Sequence, residues 1–162
     1  MSFFTNLRAD RLIAEIKAAD DSDGHKSSLE KLVRLGPSAI PRILDALASA
    51  DNRETAGFVA VLTALLDNKS FPAVASGLTQ GNQRTVAGAA TALSNSRNYP
   101  ANLLFGLLDQ PAMPKGTVVG ILTAQKSRLN ARDVLQRAYN QDAAEKAAMF
   151  RIVSEIADAS IV

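Results

Sequence analysis

Cysteine and tryptophan are absent from this 162-residue chain, and histidine occurs once. Without thiols there can be no disulfide, no thiolate nucleophile and no cysteine-bound zinc. A lone imidazole, His25, is too little for a catalytic triad, a zinc-protease motif or a di-iron centre. It follows Gly24 at a predicted helix start, where a surface position is the expectation. No run of about 18 apolar residues occurs, so no membrane-spanning helix is predicted. The opening MSFFTNLRADR lacks the features of a secretory leader, and a cytoplasmic protein is expected. The glycine patterns that cradle phosphates or dinucleotides, and the serine elbow of hydrolases, are also missing. Asp20, Asp21, Asp23, Gly24 and Glu30 have some of the spacing of a calcium loop. With Gly24 at the sixth place, however, the leading ligand would be Ala19 and the eighth residue Lys26. That stretch reads instead as a solvated turn ahead of a helix. The expectation is a protein with no catalytic machinery, no cofactor and no metal.

Aromatic residues make up only 5% of the chain, whereas apolar residues in total make up 47%. Alanine and leucine dominate, which favours closely packed helices over a sheet protein. A short apolar pattern occurs four times. Ile43, Val74, Leu103 and Val134 are each followed by Leu44, Ala75, Leu104 and Leu135, then by Leu47, Leu78, Leu107 and Ala138. A period of about 30 residues such as this marks stacked helical hairpins. Helical spacing and turn residues predict ten helices in five pairs: about 7–19 with 25–35, a helix from Pro37 to about Ala50 with one to Leu66, 71–79 with 83–93, 100–108 with 115–124, and 131–139 with 143–159. Gly36 is a helix stop, and Asp51 or Asn52 a cap for the helix that follows.

The segment LVRLGPSAIPRILDAL, Leu32 to Leu47, resembles a HEAT repeat: a leucine-rich helix ends at glycine and a proline-containing helix begins. The resemblance extends over nearly the whole chain. It implies an all-α, right-handed α-solenoid of about five HEAT-like antiparallel helix pairs, first helices convex and second helices concave. One repeat domain is expected over residues 1–162, read as the N-terminal part of a longer chain because no polar element covers its last layer. The last helix carries Phe150, Val153, Ile156 and Ala157 on an apolar face, with Ile161 and Val162 beyond, so self-association through that layer is an alternative. The family commonly pairs a turn aspartate with an arginine in the next helix. Asp51 and Arg53 occupy such places in one copy, Asn82 and Arg84 in the next.

The formal net charge is only +2, but between Lys69 and Arg132 seven basic residues face a single acid, Asp109. Arg53, Arg84, Lys115 and Lys146 recur at equal intervals, each at the start of a second helix. Lys69, Arg97, Lys126 and Arg128 fall in the connections between pairs. These eight residues are the candidate binding set, forming two cationic edges. The function expected is a non-catalytic scaffold whose concave face holds a protein or peptide, one with an acidic surface fitting best. The alternative is a nucleic-acid-binding module using the basic edges. An enzyme resembling the HEAT-like phycobilin lyases is a weaker reading, because no acid–base pair is evident. Phe58, Phe71, Tyr99, Phe105, Tyr139 and Phe150 are mostly expected in the core. Phe3 and Phe4 are expected to fold back on the first layer, and no membrane partner is expected.

Overall fold

In the computed structural model the backbone of residues 3–161 and the side chains of residues 3–157 are described. Among them the chain is all-helical: α1 (Phe3–Ala18), α2 (Ser22–Leu35), α3 (Ile40–Leu47), α4 (Asn52–Leu65), α5 (Phe71–Ala75), α6 (Gln83–Asn95), α7 (Leu103–Leu108), α8 (Lys115–Ala124), α9 (Ala131–Ala138) and α10 (Ala143–Ile161). Single 3-10 turns at Pro37–Ala39, Ser76–Thr79 and Lys126–Arg128 extend three of the connections. No strand occurs among the described residues, and none of their helices is long and apolar enough to cross a membrane.

Local chemistry explains the starts and stops. The Asp21 carboxylate accepts from Gly24 N at 2.5 Å, so α2 begins inside the acidic segment, earlier than the turn predicted there. Asp51 accepts from Glu54 N at 2.8 Å while the Glu54 side chain reaches back to Asp51 N, a reciprocal capping box. Asn82 caps α6 in the same position. Gly36 ends α2 at φ 83°, a conformation costly for any residue with a Cβ. Pro41 and Pro72 each lie in the first turn of their helix, where a missing N–H leaves no bond unmade.

The chain divides into two compact units, Met1–Tyr99 and Pro100–Val162. In the first, α1 pairs with α2, α3 with α4 and α5 with α6. The first helices pack in succession, α1 on α3 on α5, and so do the second helices, α2 on α4 on α6. The core repeats residue for residue. Glu54, Gly57, Phe58, Val61, Leu62 and Leu65 are buried in α4, and their counterparts in α6 and at its end, from Thr85 to Ser96, are buried too. In the second unit α8 packs on α7 and on α10, and α9 forms a hairpin with α10.

The apolar repeat itself is corrected at its third copy. Ala101, Leu104, Phe105 and Leu108 take the buried places that Phe71, Val74, Ala75 and Leu78 take in α5 and the 3-10 turn after it, whereas Leu103 is half exposed. The counterpart of Val74 is therefore Leu104, one place beyond the Leu103 that the pattern selects. Val134 and Ala138 continue the same register, matching Leu104 and Leu108. Three consecutive apolar residues, Leu103 to Phe105, leave that register ambiguous in the sequence. Leu135 is also only half buried.

The fold overturns other expectations. His25 is buried, not at the surface, because α2 starts three residues ahead of it and turns it towards α4. Phe3 and Phe4 do not fold back: both continue α1 and are 71% exposed. Tyr139 is 64% exposed and stacks edge-on over Phe150, with ring centroids 5.8 Å apart. Phe150, Val153, Ile156 and Ala157 are half buried, while Met149 and Ile152 carry the buried side of α10. The Ile161 side chain and Val162 lie outside the described residues.

Candidate interaction surfaces

The cations that recur at equal intervals meet different fates. Arg53 Nη2 donates to the carbonyl of Ala19 at 2.6 Å, and Arg84 Nη1 donates to the carbonyl of Ala50. Both bonds run from the start of a second helix to the turn of the preceding hairpin. An arginine at a helix N-terminus opposes the helix dipole. Here the guanidinium is directed away to a carbonyl that no helical N–H satisfies, and it straps successive hairpins together. Lys115 instead folds onto its own turn, donating from Nζ to the carbonyls of Leu108 and, at 2.6 Å, Gln110. The Lys146 side chain is half buried, with no ion pair or hydrogen bond among the described residues.

The second set divides in the same way. Lys126 forms an ion pair with Glu155 at 2.5 Å, and Arg128 donates to Gln125 Oε1 at 2.9 Å. Lys69 and Arg97 are exposed, and neither side chain has an ion-pair or hydrogen-bond partner among the described residues. Near Lys69 the chain turns tightly. The Asp67 carboxylate accepts from Lys69 N at 2.8 Å and Ser70 N at 2.7 Å, and buried Ser70 donates its hydroxyl to the Leu65 carbonyl. The Ser70 N–H above all holds the Asp67 carboxyl below its ordinary value; desolvation opposes it, and the Ser70 side chain and the N–H and charge of Lys69 add smaller lowering effects.

Arg97 borders an open groove of about 600 Å³ in the first unit. Its long wall is the outward face of α4, with Ala56, Ala60 and Ala64 exposed or partly so and Val59 and Thr63 half buried. The turn from Asn95 to Asn98 closes one end. The wall is helical in spacing, made of small side chains, and carries no charge, so a partner can approach the backbone closely.

A second groove, of about 370 Å³, runs between α1 and α2. Leu12 and Leu35, both half buried, form its apolar part, and Arg8, Arg11, Lys31 and Arg34 stand around them. The only carboxylate in its lining is Glu15, 3.4 Å from Arg11. None of these residues belongs to the basic series read from the repeat. A mixed-charge hollow between α1 and α3, where Arg42 lies 3.7 Å from Asp10, is electrically balanced.

His25 lines no groove among those described. Its Nδ1 is buried without a hydrogen-bond partner. Gly57 gives it room, since a Cβ there would sit 3.1 Å from His25 Nε2 and 2.9 Å from Leu29 Cδ1. The helical spacing of His25, Leu29 and Leu32 is the available sign that it faces inward. No group of three or more His, Asp or Glu side chains that could hold a metal occurs among the described residues. Compared with protein-family models, with curated proteins and with solved structures, the chain matches none.

Proposed function

We propose that the chain is a HEAT-like right-handed α-solenoid of about five hairpins, acting as a non-catalytic cytoplasmic scaffold that holds a peptide or protein surface. The observation that carries this reading is the register of the first unit. Burial repeats position for position between α4 and α6, leaving the same face of each helix outward. Such repetition builds an extended surface out of many small side chains, as helical-repeat proteins do when they bind partners. The α4 groove is the part of that surface best suited to an apolar anchor, with Arg97 at its end to meet an acidic group.

The test is a pull-down from lysate, with and without nuclease, using the wild type and a Val59→Asp, Ala60→Arg double variant. Neither position is buried, so circular dichroism should be unchanged. A protein retained by the wild type and lost by the variant is the expected result. If whatever is retained disappears on nuclease treatment, the nucleic-acid reading replaces this one. Its salt dependence would then be steep.

A further inference from the structure

The groove between α1 and α2 gains meaning from the repeat register. Ala9, Ile13 and Ile16 of α1 are buried, as are their counterparts Ile40, Leu44 and Leu47 of the next first helix, α3. The caps Asp21 and Asp51 stand at equivalent places ahead of α2 and α4. In that register Leu12 corresponds to Ile43 and Leu35 to Leu65, both buried in the second pair. Arg8 corresponds to Ala39 and Lys31 to Val61, which are buried as well. In the second pair, α3 and the 3-10 turn before it pack on α1, α4 packs on α2, and Gly57, one turn from Val61, meets His25 and Leu29. The groove is therefore the side of the first pair on which a preceding helix would lie. Of these four positions, two are apolar in the first pair and two are cations.

We propose that this groove is a docking site for an amphipathic helix of acidic character, which places leucine-like side chains over Leu12 and Leu35 and carboxylates beside Arg8, Lys31 and Arg34. Charge complementarity selects the partner. Arg8, Lys31 and Arg34 are exposed and have no ion-pair or hydrogen-bond partner among the described residues. A face that served only to stay wet would be satisfied by charges of either sign, yet cations outnumber carboxylates here four to one. The half-buried leucines argue for side chains that desolvate them, as a helix laid in a groove provides. A flat bilayer does not reach the bottom of a groove, and the lining has no aromatic side chain on which a base could stack. The site is separate from the α4 groove, and its test does not depend on that reading.

The probe is a fluorescein-labelled amphipathic peptide of about three helical turns, with Leu at every third or fourth place and Glu between. Its twin carries Gln for Glu. Fluorescence anisotropy should show binding of the Glu peptide to the full chain, and binding about tenfold weaker for the Gln twin. Affinity for the Glu peptide should fall at least about tenfold in Lys31→Glu, Arg34→Glu, and several-fold in Leu12→Gln. All of these positions are exposed or half exposed, and circular dichroism verifies folding. Arg97→Glu, in the other groove, should leave binding unchanged. Absence of binding overturns the proposal. So does equal binding by Lys31→Glu, Arg34→Glu or by Leu12→Gln. Stronger retention on phosphatidylserine vesicles or single-stranded DNA, lost in the same charge variant, would assign the face to a membrane or nucleic-acid partner instead.

Discussion

The two units share an apolar period but secure it differently. In Met1–Tyr99, arginines at the start of α4 and α6 reach carbonyls of the preceding hairpin, and glycines let neighbouring helices touch. Gly77 has Ala89 Cβ and Leu44 Cδ2 each 2.9 Å from where its own Cβ would lie, and Gly88 has Leu47 Cδ1 at 2.7 Å. In Pro100–Val162 Lys115 reaches carbonyls of its own turn, and other cations meet side chains. Lys126 pairs with Glu155, and Arg137 pairs with Asp109 at 2.8 Å while covering the Phe105 ring. Gly106, Gly116 and Gly120 have open space around them. The first unit combines arginine-to-carbonyl straps and close glycine contacts with exposed pairs such as Arg42–Asp10; in the second the described ion pairs are all exposed, where water and salt weaken them. A hairpin repeat thus tolerates exchange of its links as long as its apolar positions keep their period.

The glycines give the largest test of that contrast. Gly77→Ala should destabilise by about 2 kcal/mol, since the added methyl meets a Cβ that cannot move aside. Gly106→Ala, in the middle of α7 with nothing nearby, should stabilise by about 0.5–1 kcal/mol. Urea unfolding followed by circular dichroism reads both; equal effects would remove the distinction. Next come the cations. Arg84→Met strips a charged donor from the carbonyl of fully buried Ala50 and should cost about 1.5 kcal/mol, little affected by salt. Lys126→Met breaks an exposed pair and should cost under about 1 kcal/mol, less still in high salt.

The smallest effect concerns the α4–α5 turn. The folded protein holds Asp67 below its ordinary value, so near that value it binds fewer protons than the unfolded chain does. The contribution is complete above the ordinary carboxylate range and is lost as pH falls through the depressed value. Asp67→Asn should flatten the stability curve below about pH 4 relative to wild type. Parallel curves would show that the carboxylate contributes nothing there.

The helical class, most of the turns and most of the core are legible in residue order. Ile43, Leu44 and Leu47 announce a buried stripe by spacing alone, and Asp51 announces a cap by its place before a helix. The Leu103–Phe105 run cannot be placed that way, because three apolar neighbours fit two registers equally well. The α1–α2 groove is within reach of the pattern: extending the period backwards sets Arg8 against Ala39 and Lys31 against Val61. Recurring cations do not mark it, because recurrence favours copies that agree, while this groove is marked by the copy that departs.

Local periodicity is written in the chain, because whether a helix forms and which stripe it buries depends on residues three and four apart. Which cations stay free is not, because that depends on whether a neighbouring hairpin brings a carbonyl within reach of a long flexible side chain. Residue order alone thus carries a repeating helical core and the positions of eight plausible cations. Packing in three dimensions is what commits Arg53 and Arg84 to carbonyls, turns His25 inward, and gathers unpaired positive charge beside Leu12 and Leu35.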